Sequence, residues 1–177
     1  MYIRALVNIT HRAWALPILA HMHQGVAGRQ AALLSATGAG RTAFAQSMEH
    51  LITLGLVERN PGHGHPLRPE FRLTPLGREA ASTAARIVSL VPDEAEFRLL
   101  RRSWTLPVLA VTAAPRRFSE IKSGLGRITD RALSQSLGQL EERSWVSRSV
   151  DLSQKPLRPA YQAINRGRVI SQTVGLG

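Results

Sequence analysis

The chain has 177 residues, 44% of them hydrophobic, which is enough for one domain or two small ones with packed cores and excludes global disorder. It contains no cysteine, which excludes disulfides, thiol redox sensing and thiolate metal sites. No apolar run approaches the roughly 18 residues that span a bilayer, and the start Met1, Tyr2, Ile3, Arg4 lacks the apolar stretch of a secretory signal. These features predict a cytoplasmic, nucleoid-associated protein with no membrane partner. The formal net charge of +11 suits a polyanion, because each neutralised phosphate releases condensed counterions. Only Lys122 and Lys155 are lysines. Arginine forks onto phosphate or a guanine edge in a way that lysine cannot.

Taken in order, the apolar cluster around Trp14 predicts a first helix, with a second near residues 27–34 and a third over 41–54. Strands are expected at 56–60 and 69–74, joined by a tip over 61–66 that is rich in Gly and Pro. Residues 77–90 carry Ala80, Ala81, Ala84, Ile87 and Val88 and predict a helix. In the second half, Phe97, Leu99, Leu100, Trp104, Leu106 and Leu109 give a helical pattern, interrupted at Pro107 by a kink or a fresh start. A short helix opens at Arg117, with Phe118, Ile121 and Leu125 on one face and Gly124 and Gly126 at its end. Thr129 is the expected N-cap of a third helix that buries Leu133, Leu137 and Leu140 and runs to Arg143. Strands follow at 145–149 and 159–163, around a polar loop.

The halves repeat each other. Trp14, Leu16, Pro17 and Leu19 return as Trp104, Leu106, Pro107 and Leu109, an offset of 90. The same offset relates Pro66, Leu67, Arg68 and Pro69 to Pro156, Leu157, Arg158 and Pro159, and Gly77 and Arg78 to Gly167 and Arg168. Between these blocks the offset is 89, pairing Ser47 with Ser136, Leu51 with Leu140, Val57 with Val146 and Arg59 with Arg148. Three blocks in one order predict a duplication. Both copies are basic: residues 1–88 hold nine Arg against four acidic residues, and residues 89–177 hold fourteen Lys and Arg against eight. The expected fold is mainly α with small β-hairpin wings (α+β), as two tandem winged helix-turn-helix domains arranged as a pseudo-dimer. The expected boundaries are 1–80, a linker helix over 81–94, and 95–177.

The second copy resembles the HxlR-type transcription regulators, relatives of the MarR group. The resemblance is carried by Trp104, Leu106, Pro107 and Leu109, by Arg117, Phe118, Ser119, Glu120 and Ile121, and by Ile128, Thr129, Arg131, Leu133 and Ser134. Leu140 and Glu141 at a helix end, and the wing residues Pro156, Arg158, Pro159 and Tyr161, complete it. The first copy matches at 14–19, 51–59 and 65–77 but departs at Arg29–Leu33 and at Gly38, Ala39, Gly40. The resemblance implies a DNA-binding regulator of the single-unit, homodimeric kind with an N-terminal cysteine; a tandem without cysteine departs from that pattern.

A helix-turn-helix places the N-terminal residues of its second helix at base edges in the major groove. Thr129, Arg131, Ser134 and Gln135 are the candidates in the second copy, and Arg41, Thr42 and Gln46 in the first. Arg131 suits guanine and Gln135 adenine, while Thr129 has an alternative role as a cap. Gln46 and Gln135 are equivalent in the repeat, which predicts a shared base preference. The repeat-equivalent wing arginines Arg68 and Arg158 suit a narrow minor groove. His65 and Lys155 beside them, and Arg116, Arg117 and Lys122, suit phosphate. Trp14 and Trp104 are expected in the core. All six histidines fall in the first half, but without converging carboxylates no metal site is expected. No catalytic motif and no cofactor site stands out. The expected partner is double-stranded DNA at an imperfect inverted repeat, with further self-association open and no effector indicated. The alternative is a protein-interaction or architectural winged-helix protein with weak or no sequence reading.

Overall fold

The computed structural model describes residues 2–60, 70–150 and 158–175. The chain divides into two compact units: Asn8–Phe97, and Met1–Val7 together with Arg98–Gly177. Helix α1 (Ile3–Thr10) runs across that division in sequence and buries Leu6 and Ile9.

The amino-terminal unit is built around α2 (Ala15–His23), whose residues 15–20 are buried in succession. A helix apolar all round must be covered on every side. Helices α3 (Gln30–Thr37), α4 (Arg41–Thr53) and α5 (Pro75–Ser89) supply that cover. Pro17 is tolerated in α2 because the first turn of a helix leaves its N–H groups without intrahelical partners. The strands β1 (Val57–Asn60) and β2 (Glu70–Leu73) pair antiparallel, with Val57 opposite Leu73 and Arg59 opposite Phe71. Beside them the Gly28 carbonyl accepts from the Phe71 N–H at 2.6 Å, and Arg29 bridges Glu70. This is a third strand reduced to one contact.

Helix α5 begins with Thr74, whose Oγ1 accepts from the Gly77 N–H at 3.0 Å, and with Pro75 at its first position. The small residues Ala80, Ala81 and Ala84 are buried and let its backbone come close to α2. The helix expected over 77–90 is therefore present, and it is the closing layer of the amino-terminal unit.

The carboxy-terminal unit follows the same order. After α6 (Glu94–Leu100), which is capped by Asp93 and crosses the division between Phe97 and Arg98, the buried helix α7 (Thr105–Val111) starts afresh. The break lies at residues 101–104, ahead of Pro107, which sits in the first turn of α7 where a proline does no harm. Next come β3 (Arg116–Arg117), α8 (Phe118–Leu125), α9 (Asp130–Glu142), β4 (Val146–Val150), β5 (Pro159–Ala163) and α10 (Asn165–Val174). The sheet order is β3-β5-β4, with Arg116 opposite Tyr161 and Arg148 opposite Tyr161 from the other side. The Ala163 N–H donates to the buried Thr112 carbonyl at 2.8 Å, tying the sheet to the end of α7. Helix α10 packs on α7 through Gly167, Ile170, Ser171 and Val174.

Two glycines fix the last helix of each unit against its wing. A Cβ on Gly77 would fall onto the Leu56 carbonyl oxygen, and one on Gly167 onto the Trp145 carbonyl oxygen. Neither obstacle is a side chain that could swing away. Gly77→Ala and Gly167→Ala are each expected to lower unfolding free energy by about 2 kcal/mol, measured by urea denaturation. The turns after α4 and α9 supply a contrast. Gly55 has φ 69°, whereas Ser144 holds φ 54° in the other unit, with Asn165 Nδ2 donating to its carbonyl at 3.0 Å. A left-handed serine is strained where glycine is not. Ser144→Gly is expected to raise stability by about 0.5 kcal/mol after allowing for the looser unfolded chain, read in the same denaturation series.

Candidate nucleic-acid interface

Helix α9 is set up to present one face. Thr129 is its N-cap, and its Oγ1 accepts from the Ala132 N–H at 3.2 Å. Leu133, Leu137 and Leu140 are buried, which fixes the rotation of the helix. The opposite side carries Arg131, Ser134 and Gln135, all exposed and spaced i, i+3, i+4. Beneath the helix end, Trp145 is fully buried. Lys122 Nζ meets Asp130 Oδ1 at 2.7 Å across the turn between α8 and α9. An exposed pair of this kind adds little stability, but it sets a cation beside the one acidic group at the start of α9.

Helix α8 is held at its start by the Glu120 carboxylate, which accepts from the Arg117 N–H at 2.6 Å. Arg117 is half-buried and belongs to β3, while Arg116 is exposed. Gly126, at φ 70°, makes the turn; Gly124 lies inside the helix rather than at its end. The residue after that turn glycine, Arg127, is exposed and was not picked out from sequence.

In the amino-terminal unit, α4 buries Phe44, Ser47, Met48 and Leu51 and exposes Arg41, Thr42, Ala45 and Gln46. Its N-cap is Gly40, which has no side chain to offer the first turn. Arg12 Nη1 donates to Gln46 Oε1 at 3.4 Å. Sequence reading missed Arg12, although it and Arg102 stand two residues before the repeated tryptophans. The other end of α4 is pinned by His50, whose Nε2 donates to the Asn8 carbonyl at 2.7 Å, with the His11 ring 5.8 Å away. Among the described residues no three His, Asp or Glu side chains gather as a metal site, and no helix is long and apolar enough to cross a membrane.

The wings carry exposed Arg59, Arg148 and Arg158. Arg59 faces Phe71 across its hairpin and Arg148 faces Tyr161, so each shares a sheet face with an aromatic residue that is largely buried. His65, Arg68 and Lys155 lie outside the described residues, as does the tip over 61–66. Trp14 and Trp104 are half-buried and act as N-caps of α2 and α7. Charge is not concentrated on α9. Helix α9 has Arg131 against Asp130, Glu141 and Glu142, while Arg116, Arg127, Arg143, Arg148 and Arg158 stand exposed on the elements around it.

A family model described as HxlR-like helix-turn-helix matches residues 99–175. An HTH-type transcriptional regulator of Bacillus subtilis strain 168, YvaP, is 31% identical over 78 residues, covering 44% of this chain and 71% of that protein. The chain belongs to the HxlR-like helix-turn-helix family. It is a DNA-binding transcriptional regulator of the HxlR/MarR type, and its relatives are bacterial. Among solved structures, the reduced form of the B. subtilis transcriptional regulator YodB is similar at a TM-score of 0.42 and 28% identity, covering 46% of this chain and 79% of that one. A MarR-family transcriptional regulator from Porphyromonas gingivalis W83 is similar at a TM-score of 0.42 and 18% identity, covering 48% and 87%. The region matched to the HxlR-like family contains α7 to α10 entire, and so the whole of the α8–turn–α9 element.

The Thr129 cap offers a structural check on this element. Thr129→Ala is expected to cost about 1 kcal/mol, seen as a lower melting temperature and faster amide exchange in the first turn of α9.

Proposed function

We propose that this HxlR-like regulator is a sequence-specific reader of double-stranded DNA whose two winged helix-turn-helix units arose by tandem duplication and act as a pseudo-dimer in one polypeptide. The observation that carries the reading is the exposed face of α9: Arg131, Ser134 and Gln135 stand together on a capped helix whose other side is locked into a core. Lying in the major groove, α9 sets Arg131 at a guanine edge and Gln135 at an adenine edge. Arg158 and Lys155 of its wing, with Arg117 and the cap residue Thr129, hold backbone or minor groove. In the amino-terminal unit α4 offers Arg41, Thr42 and Gln46, and its wing offers His65 and Arg68.

Duplication is supported by particulars beyond the sequence blocks. Helices α4 and α9 are both 13 residues long. Gly77 and Gly167 each seat the last helix of their unit on a backbone carbonyl. Gly28 meets Phe71, and Arg116 pairs with Tyr161, as the same third-strand contact. In this reading α5 closes the first unit and leads to the second, filling the role proposed for a linker between domains near 1–80 and 95–177. Two reading heads serving successive major grooves, about 34 Å apart, fit an imperfect inverted repeat, because the heads differ. The protein works in the cytoplasm, on the nucleoid.

Selection from random duplexes, followed by fluorescence anisotropy at two salt concentrations, tests this. Wild-type protein is expected to enrich an imperfect inverted repeat and to bind less tightly as salt rises. Arg131→Ala is expected to cost roughly 1–3 kcal/mol at the selected site and to relax one base position. Arg158→Ala is expected to weaken binding evenly across sequences and to reduce the salt slope by about 1. Absence of binding at low salt would replace this reading with a protein-interaction module. Salt-steep binding with no enriched sequence would replace it with an architectural protein.

A further inference from the structure

Gln46 and Gln135 occupy the same place on helices of the same length, yet they are not equivalent readers. An unrestrained glutamine amide offers both a carbonyl oxygen and an NH2 group. It matches adenine, whose major-groove edge has one acceptor, N7, and one donor, N6. Gln135 is exposed, and among the described residues nothing bonds to its side chain. Gln46 stands beside Arg12, which donates from Nη1 to its Oε1 at 3.4 Å. A guanidinium has donors only, so the oxygen of Gln46 turns to Arg12 and the NH2 turns away. Arg102, which matches Arg12 in the repeat, makes no such bond to Gln135 among the described residues.

We propose that Arg12 is a positioning residue that makes Gln46 a donor-only reader with a preference for guanine, while Gln135 keeps the adenine preference. Guanine presents two acceptors, O6 and N7, to an NH2 group. Adenine would leave its N6 amino group facing another donor, an unpaired contact in a drying interface. The proposal rests on the DNA-reading function above. It replaces the shared base preference expected from the repeat with two different ones, set by a residue outside the recognition helix.

The test is selection from random duplexes with the full chain and four variants: Gln46→Ala, Gln135→Ala, Arg12→Ala and Arg12→Lys. Loss of preference in the two glutamine variants identifies the base position belonging to each head. Wild-type protein is expected to favour guanine over adenine by roughly fivefold to tenfold at the Gln46 position, with adenine at the Gln135 position. Arg12→Ala is expected to bring guanine and adenine to parity or to reverse them, with an unchanged melting temperature. Arg12→Lys, whose ammonium also only donates, is expected to retain guanine. Adenine at both positions in the wild type, or an unchanged guanine preference in Arg12→Ala, would overturn the proposal while leaving the DNA-reading function intact. Failure of the wild type to enrich any sequence would overturn both.

Discussion

The structure turns on how closely a helix can approach a strand. In each unit the last helix lies with a glycine against a backbone carbonyl, Gly77 on Leu56 and Gly167 on Trp145. No side chain fits between them, so the distance is set by van der Waals contact of main chain on main chain. Leu56 and Trp145 directly precede β1 and β4, so the contact sits at the root of each hairpin. The N–H of Thr74 bonds the Leu56 carbonyl and that of Ile164 bonds the Trp145 carbonyl. Helices α4 and α9 end just before these carbonyls.

Exposed positive charge lies mostly on the elements around α9 rather than on α9 itself. The exposed face of α9 has one cation, and its flanks carry the rest. In the proposed reading this arrangement would let non-specific attraction come from arginines that address phosphate, leaving the helix face to hydrogen-bond geometry. The pairing of Lys122 with Asp130 offsets the acidic group at the start of α9.

Much of this was legible in the sequence. The apolar spacing of Leu133, Leu137 and Leu140, the Thr129 cap and the strand bounds at 159–163 are local signals, and local signals survive folding. Other elements had none strong enough. β3 is two residues long, too short for alternation. Helix α10 has Ile170 and Val174 as its only large buried apolar residues, so its periodicity is faint, although the repeat maps it onto α5. The start of α7 was blurred because proline is a breaker in mid-helix but harmless in a first turn. In the candidate site, the exposed residues of α4 and α9 followed from helical phase. The contact of Arg12 with Gln46 did not, because it joins residues 34 apart through tertiary structure.

Helices α5 and α6 are joined through only residues 90–93, and in the two-headed reading proposed above that covalent tie would alter the mass action of regulation. A regulator assembled from separate protomers comes apart as the cell dilutes it. In the proposed reading both heads lie on one chain, so their association would not depend on abundance. With one head engaged, the other would search at an effective concentration on the order of millimolar, whatever the copy number. In that reading each head would also be free to drift by mutation without forcing the same change on the other.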